Sequence, residues 1–318
     1  MTHQIFHLKY RILIAAGFEL LLSCAFAQDL DPRAYVRLPE KTNTLITGFS
    51  YSYGGVVTDP TLPIQDLKAD VQAVSLGYAH TFNLLGLTSQ VLVALPYSWA
   101  QVSGKVVGQP ESIKRSGFAD TRLRLSVLVH GAPSVGLQDF LKAPRETIVG
   151  VSVSVVAPTG EFFPDKLINL GTNRWSFRPE LAISHPLGRR WLMDVYSGIW
   201  FFTNNDSFYP GTSLRTQKPM GTFQAHLSYN LTPRHWVAFN ATYYVGGTSS
   251  VNDLYNDDRQ SNVRVGVTGV VPVGKRNSLK LAASTGAVVR IGQDFTSLSI
   301  GWSRSWFGKG EASASTSE

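Results

Sequence analysis

Between Thr222 and Val245 the chain alternates apolar and polar residues through two strands and one tight reversal. Phe223, Ala225, Leu227 and Tyr229 share one parity, against Gln224, His226, Ser228 and Asn230. After Thr232-Pro233-Arg234 the pattern resumes, with Val237, Phe239, Ala241, Tyr243 and Val245 against Ala238, Asn240, Thr242 and Tyr244. A period of two sends the two sets to opposite faces of a pleated sheet, so the hairpin has an apolar wall and a polar wall. A sandwich would bury the apolar wall against a second sheet. An outer-membrane barrel would turn it to lipid and keep the polar wall for its lumen.

The same alternation predicts about twelve strands, near 43–54, 68–82, 87–102, 116–130, 145–158, 173–187, 190–203, 217–231, 234–247, 259–272, 277–291 and 294–307. Each is near or above the roughly 9 to 11 residues that a tilted strand needs to cross a bilayer. Connections after the second, sixth, eighth and tenth strands are short, as in Leu187-Gly188-Arg189 and Gly274-Lys275-Arg276-Asn277. Those after the first, third, fifth, seventh and ninth are longer and rich in Gly, Pro, Asn and Asp. Short turns at one end and long loops at the other are expected of a barrel with an even strand number, both termini lying on the periplasmic side. Two connections strain the scheme: Gly131 to Pro144 is long for the short side, and Ile291 to Asp294 is short for the long side.

Composition agrees. Charged residues are 16% of the chain, against about 25% in an ordinary soluble domain, while hydrophobic residues are 43%. Val149, Val151, Val153 and Val155 make one lipid-type stripe, and Leu123, Leu125, Val127 and Val129 another. Aromatic residues gather near strand ends (Tyr51, Tyr53, Tyr97, Trp99, Trp175, Phe177, Trp302, Trp306), as interfacial girdles require. The formal charge of +7 is scattered, with no long basic run, which argues against a nucleic-acid partner.

Domain organisation follows from the ends. Residues 1–27 read as a signal peptide: Lys9 and Arg11 precede an apolar run, and Ala25-Phe26-Ala27 is a small-x-small cleavage pattern. Lipoprotein processing at Cys24, the single cysteine, is the alternative. Residues 28–42 form a polar periplasmic lead-in that caps or enters the lumen, 43–307 the barrel, and 308–318 a tail expected to be disordered.

No catalytic, metal or cofactor motif is present. His226 and Ser228, two residues apart on one face, are the nearest thing to a catalytic pair, and a lipid-hydrolysing barrel stays open as an alternative beside a non-transporting structural barrel. The inward charges are more informative. Arg122, Arg124, Arg178, Arg264, Lys280 and Arg290, with Asp120, Glu146, Glu180 and Asp194, fall on the polar parity. Inside a barrel they must be paired or hydrated, either as cross-strand salt bridges or as a surplus of arginines forming a constriction. Asp120, Arg122, Arg124, Arg178, Glu180, Asp194, His226, Arg264, Lys280 and Arg290 are therefore the expected pore-lining set. Tyr196, Trp200 and Tyr244 would add inward rings, as a stacking path or as filling.

The runs Gly171-Thr172-Asn173-Arg174-Trp175-Ser176-Phe177-Arg178-Pro179-Glu180, Trp200-Phe201-Phe202-Thr203-Asn204-Asn205-Asp206 and Gln224-Ala225-His226-Leu227-Ser228-Tyr229 resemble the MetA-pathway phenol-degradation family of outer-membrane proteins. Gln260-Ser261-Asn262-Val263-Arg264-Val265-Gly266 and the lead-in Asp31-Pro32-Arg33-Ala34-Tyr35 fit the same family. The resemblance implies a transporter-like barrel admitting aromatic or other small hydrophobic compounds, without catalytic residues or cofactors. The expectation is a monomer in the bacterial outer membrane, with outer-membrane lipids and a small solute as partners.

Overall fold

The structure, a computed structural model, describes residues 30–57, 64–106, 108–166 and 168–308. The signal peptide and all but the first residue of the tail lie outside them. The strands are β1 (Thr42–Val57), β2 (Ile64–Leu84), β3 (Leu87–Val106), β4 (Gln109–Phe118), β5 (Thr121–His130), β6 (Ile148–Ala157), β7 (Ser176–Leu187), β8 (Trp191–Phe202), β9 (Asn205–Phe208), β10 (Ser213–Gln217), β11 (Met220–Asn230), β12 (Trp236–Gly246), β13 (Ser249–Val251), β14 (Leu254–Tyr255), β15 (Gln260–Val273), β16 (Asn277–Val288) and β17 (Gly292–Phe307). One short helix, α1 (Leu137–Lys142), interrupts them.

The main sheet runs β2-β1-β17-β16-β15-β12-β11-β8-β7-β6-β5-β3-β4, every pair antiparallel, and a β2–β3 pairing closes it into a barrel. β4 and β5 both lie along β3, at Tyr97↔Phe118 and Ala94↔Arg122, so they form one broken stave and the barrel has twelve. Pro96 sits opposite the break. It accepts from Ala119 N at 3.0 Å but has no N–H to return, so the ladder lapses there.

The third connection departs from expectation. Instead of a long loop, β3 and β4 meet with Val106 opposite Gln109. Gly104, Gly108 and Pro110 read as loop residues, yet the backbone pairs through Gly104 and Pro110 because a hairpin beyond the bilayer edge has no need of an apolar face. Both connections that strain the scheme are real: β5 to β6 is long and holds α1, at the end where the other turns are tight, and β16 to β17 spans only residues 289–291 at the loop end.

The outer surface is apolar. Val151, Val153, Leu123, Leu125, Phe223 and Phe239 are all exposed, and their strand neighbours Ser152, Ser126, Gln224, His226 and Asn240 are buried. Outward rings gather in two belts. Tyr78 and Trp306, with Trp191 and Tyr229, lie at the turn end; Tyr51 and Tyr53, with Tyr97, Trp99 and Phe118, lie at the loop end. A closed sheet leaves no edge, and a greasy band between two aromatic belts is the surface that lipid covers.

The loop end is filled from inside. The β6–β7 connection folds inward and buries Ile168 and Leu170 against Val56, Leu67, Ala69, Val71, Ala100, Val102 and Phe295. Asp120, at the stave break, holds that connection by accepting from Gly160 N (2.9 Å), Thr172 N (2.9 Å) and Thr172 Oγ1 (2.6 Å). A second, four-stranded sheet, ordered β14-β13-β10-β9, is built from the β8–β11 and β12–β15 loops.

Candidate functional site: the lumen and its lead-in

Residues 30–41 enter the barrel at the turn end, where Lys41 N donates to Thr81 O at 2.8 Å and Gly308 N to Lys41 O at 3.0 Å. Their polar groups spread across the lumen. Lys280 Nζ donates to Asp31 Oδ1 at 2.7 Å. Arg33 N donates to Asp194 Oδ2 (3.2 Å), Arg33 Nη2 to Asn230 Oδ1 (2.8 Å), and the guanidinium lies 4.5 Å from the Trp236 ring centre. Ala34 N donates to Tyr196 Oη at 3.2 Å.

Tyr35 is the most enclosed of the group, 1% exposed. Its hydroxyl donates to Glu180 Oε1 at 2.7 Å and lies 2.6 Å from Ser152 Oγ. Its ring meets Tyr196 edge-on at 5.0 Å, while the Arg124 guanidinium covers it at 4.4 Å. Burial pushes the hydroxyl pKa up to about 12. Two inward glycines make the room: a side chain at Gly150 would begin 2.5 Å from Tyr35 Cδ1, and one at Gly266 2.7 Å from Leu30 Cδ1. The odd β5–β6 connection clamps the rest of the lead-in. Glu40 N donates to Val135 O (2.9 Å), Arg37 Nη2 to Pro144 O (3.2 Å), and Arg37 lies over Phe140 of α1 at 5.5 Å.

Above the lead-in lies a cavity of about 450 Å³. Six of the ten expected pore residues line it: Arg122, Arg124, Arg178, Glu180, Arg264 and Lys280. Arg178 Nε stands 3.5 Å from Glu180 Oε2, both side chains buried. Arg264 donates through Nη2 to Ser297 Oγ (2.9 Å) and through Nη2 and Nε to Ser284 Oγ (3.1 and 3.2 Å). Trp200 and Tyr196 also line the cavity.

The other four lie elsewhere. Asp194 and His226 point inward and are buried, but they serve the wall and the lead-in: Asp194 accepts from Ser184 Oγ and Arg33 N, and His226 Nδ1 lies 2.9 Å from Asn240 Oδ1. Asp120 anchors the β6–β7 connection. Arg290 is on an exposed bend beyond β16, where Nη2 donates to Asp257 Oδ1 at 2.6 Å; the polar parity of β16 does not extend to it because the strand ends at Val288. Glu146 is likewise exposed and precedes β6.

Ser228 Oγ is buried without a hydrogen-bond partner, and among the described residues no hydrogen bond joins it to His226. Nor is any group of three or more His, Cys, Asp or Glu there placed to hold a metal ion. Sequence reasoning missed Asp31, Arg33 and Tyr35 as lumen residues. Gly150 and Gly266, on the inward parity, are the trace they leave in the sequence.

A closed twelve-stave antiparallel barrel with a lipid-type outer band and a polar interior defines an outer-membrane β-barrel. Residues 44–307 match the model of the family described as "MetA-pathway of phenol degradation", and the chain belongs to that family. It is similar in structure to the COG4313 outer membrane channel from Pseudomonas putida F1, with TM-score 0.76 and 22% identity over 87% of this chain and 100% of that one. It is also similar to the transport unit of the autotransporter AIDA-I from Escherichia coli, with TM-score 0.52 and 10% identity over 94% of this chain and 99% of that one. Among curated proteins none matches the sequence.

Proposed function

We propose that this protein is a passive outer-membrane channel for small solutes with an apolar or aromatic body, and that the lead-in closes its lumen from the turn end. The carrying observation is the cavity of about 450 Å³ above a lead-in held by hydrogen bonds, ring contacts and one ion pair. A structural barrel could fill its interior with wall side chains alone. Here instead the wall leaves space, and a separate segment occupies part of it.

Closure of this kind is reversible. Each tether is a polar contact whose net worth is about 0.5–1.5 kcal/mol, or somewhat more when charged, because water can replace the partner. The lead-in can therefore leave without unfolding any stave. The family and the similarity to the COG4313 outer membrane channel support the reading.

The test is conductance of the purified, heat-modifiable barrel in planar bilayers, for the unaltered chain and for Tyr35→Ala. A rise in the variant supports a lead-in-gated channel. Silence from both, with the barrel folded, rejects it.

A further inference from the structure

The charges around the cavity do not balance. Among the described residues, Arg122, Arg124, Arg178, Arg264 and Lys280 line it against Asp31 and Glu180. Both carboxylates are already engaged, Asp31 by Lys280 at 2.7 Å, and Glu180 by Arg178 and by the Tyr35 hydroxyl. Gln224 Nε2 also donates to Glu180 Oε2, at 3.3 Å. A cation entering this space would find its carboxylates taken. An anion would not.

Two of the guanidiniums form no ion pair among the described residues. Arg264 is oriented by the hydroxyls of Ser284 and Ser297, which fix its direction without neutralising it. Arg124 lies over the Tyr35 ring, and its Nε and Nη2 meet no hydrogen-bond acceptor among the described residues. Leaving buried donors without acceptors is costly, more so when they are charged, so an incoming carboxylate relieves an existing penalty. The same cavity is lined by an indole. Trp200, 4% exposed, packs 5.0 Å from the Arg178 guanidinium, and its Nε1 has no acceptor among the described residues. Cations next to an indole form a site for a planar ring that carries negative charge.

Resting on the channel reading above, we infer that the solute class is a small aromatic carboxylate, its carboxylate drawn to Arg124 and Arg264 and its ring to Trp200. Neutral aromatic compounds of the same size use only half of the site. Aromatic amines are disfavoured by the surplus cations.

Zero-current potentials of the full chain carrying Tyr35→Ala, measured with gradients of potassium benzoate and of benzylammonium chloride, test the inference. Benzoate should permeate at least about tenfold better than benzylammonium, the scale on which a singly charged cleft concentrates counter-ions. Arg124→Gln with Arg264→Gln should bring the ratio towards one. Millimolar benzoate should also reduce the chloride current where acetate does not, and Trp200→Leu should abolish that difference. A conducting barrel with equal permeabilities, or a preference for benzylammonium, overturns the anion assignment and leaves the channel intact. Equal effects of benzoate and acetate overturn the aromatic part. No conductance at all overturns both readings. Should the double arginine variant fail to show heat-modifiable migration, the benzoate-to-benzylammonium ratio of the Tyr35→Ala protein decides alone.

Discussion

The two ends of the lumen are packed by different chemistry. At the loop end Ile168 and Leu170 pack into an apolar cluster with Val56, Leu67 and Phe295. At the turn end Asp31, Arg33 and Tyr35 make hydrogen bonds, ring contacts and an ion pair with the wall. Apolar packing depends little on pH or salt, whereas an ion pair depends on both. The difference teaches that the packing at the loop end is indifferent to solution conditions, whereas the contacts at the turn end are ones that such conditions can release.

The strongest way to break the contrast is Tyr35→Ala. It removes the hydroxyl from Glu180 and Ser152 and the ring from Tyr196 and Arg124 together. The open fraction in planar bilayers, and with it the mean conductance, should rise by about an order of magnitude, since several contacts of about 1 kcal/mol vanish at once and each 1.4 kcal/mol is a factor of ten. An unchanged conductance would refute the plug.

Gly150→Val attacks the same contact from the wall. With only 2.5 Å between a new side chain and the Tyr35 ring, the ring must move, and conductance should rise in the same direction but by less. Heat-modifiable migration should persist, because the substitution puts a β-branched residue into a strand.

Solution conditions give the third test. Burial alone would raise the Asp31 carboxyl, but the ammonium of Lys280 at 2.7 Å outweighs it and holds the pKa below the usual carboxylate range. A depressed carboxylate pKa means that the tether is fully present above the ordinary value of 3.8 and is lost as the pH falls through the lowered one. On the alkaline side the raised Tyr35 pKa keeps the hydroxyl protonated, so that contact weakens only between its ordinary 10 and about 12. Conductance should therefore be flat through neutrality and rise at acid pH. Asp31→Asn should flatten the acid limb. The step should be modest, because both partners are close to half exposed and salt screens them.

The smallest effect on the turn end should come from Ile168→Ala. Removing a buried aliphatic side chain costs roughly 2–5 kcal/mol, which loosens the β6–β7 connection and makes it easier to cleave with protease. The pH dependence of conductance should not move. If it does, the two ends are coupled and the contrast fails.

Much of this molecule is legible in the strands themselves. The parities of Phe223 to Tyr229 and Val237 to Val245 name the outward faces correctly, and all twelve staves fall near their expected places. Less legible is where a stave ends: Arg290 and Glu146 carry the right parity and sit beyond β16 and before β6. Parity says which way a strand residue points but nothing about whether the strand has reached it. The β5–β6 connection, which strains the short–long rule, is more instructive. The β5–β6 segment is long because Val135, Pro144 and Phe140 hold the lead-in, a reason invisible without knowing that the lead-in turns inward.

What the sequence alone determined is local: a period of two, an apolar and a polar wall, and turn chemistry sufficient for an even-staved antiparallel barrel. Only the tertiary structure decided which polar groups meet. Tyr35 finds Glu180 across 145 residues of chain, and Lys280 finds Asp31 across 249. Closure of the sheet makes those contacts, because it brings opposite walls within reach of one threaded segment, and no periodicity along a single strand encodes what stands on the far side of the lumen.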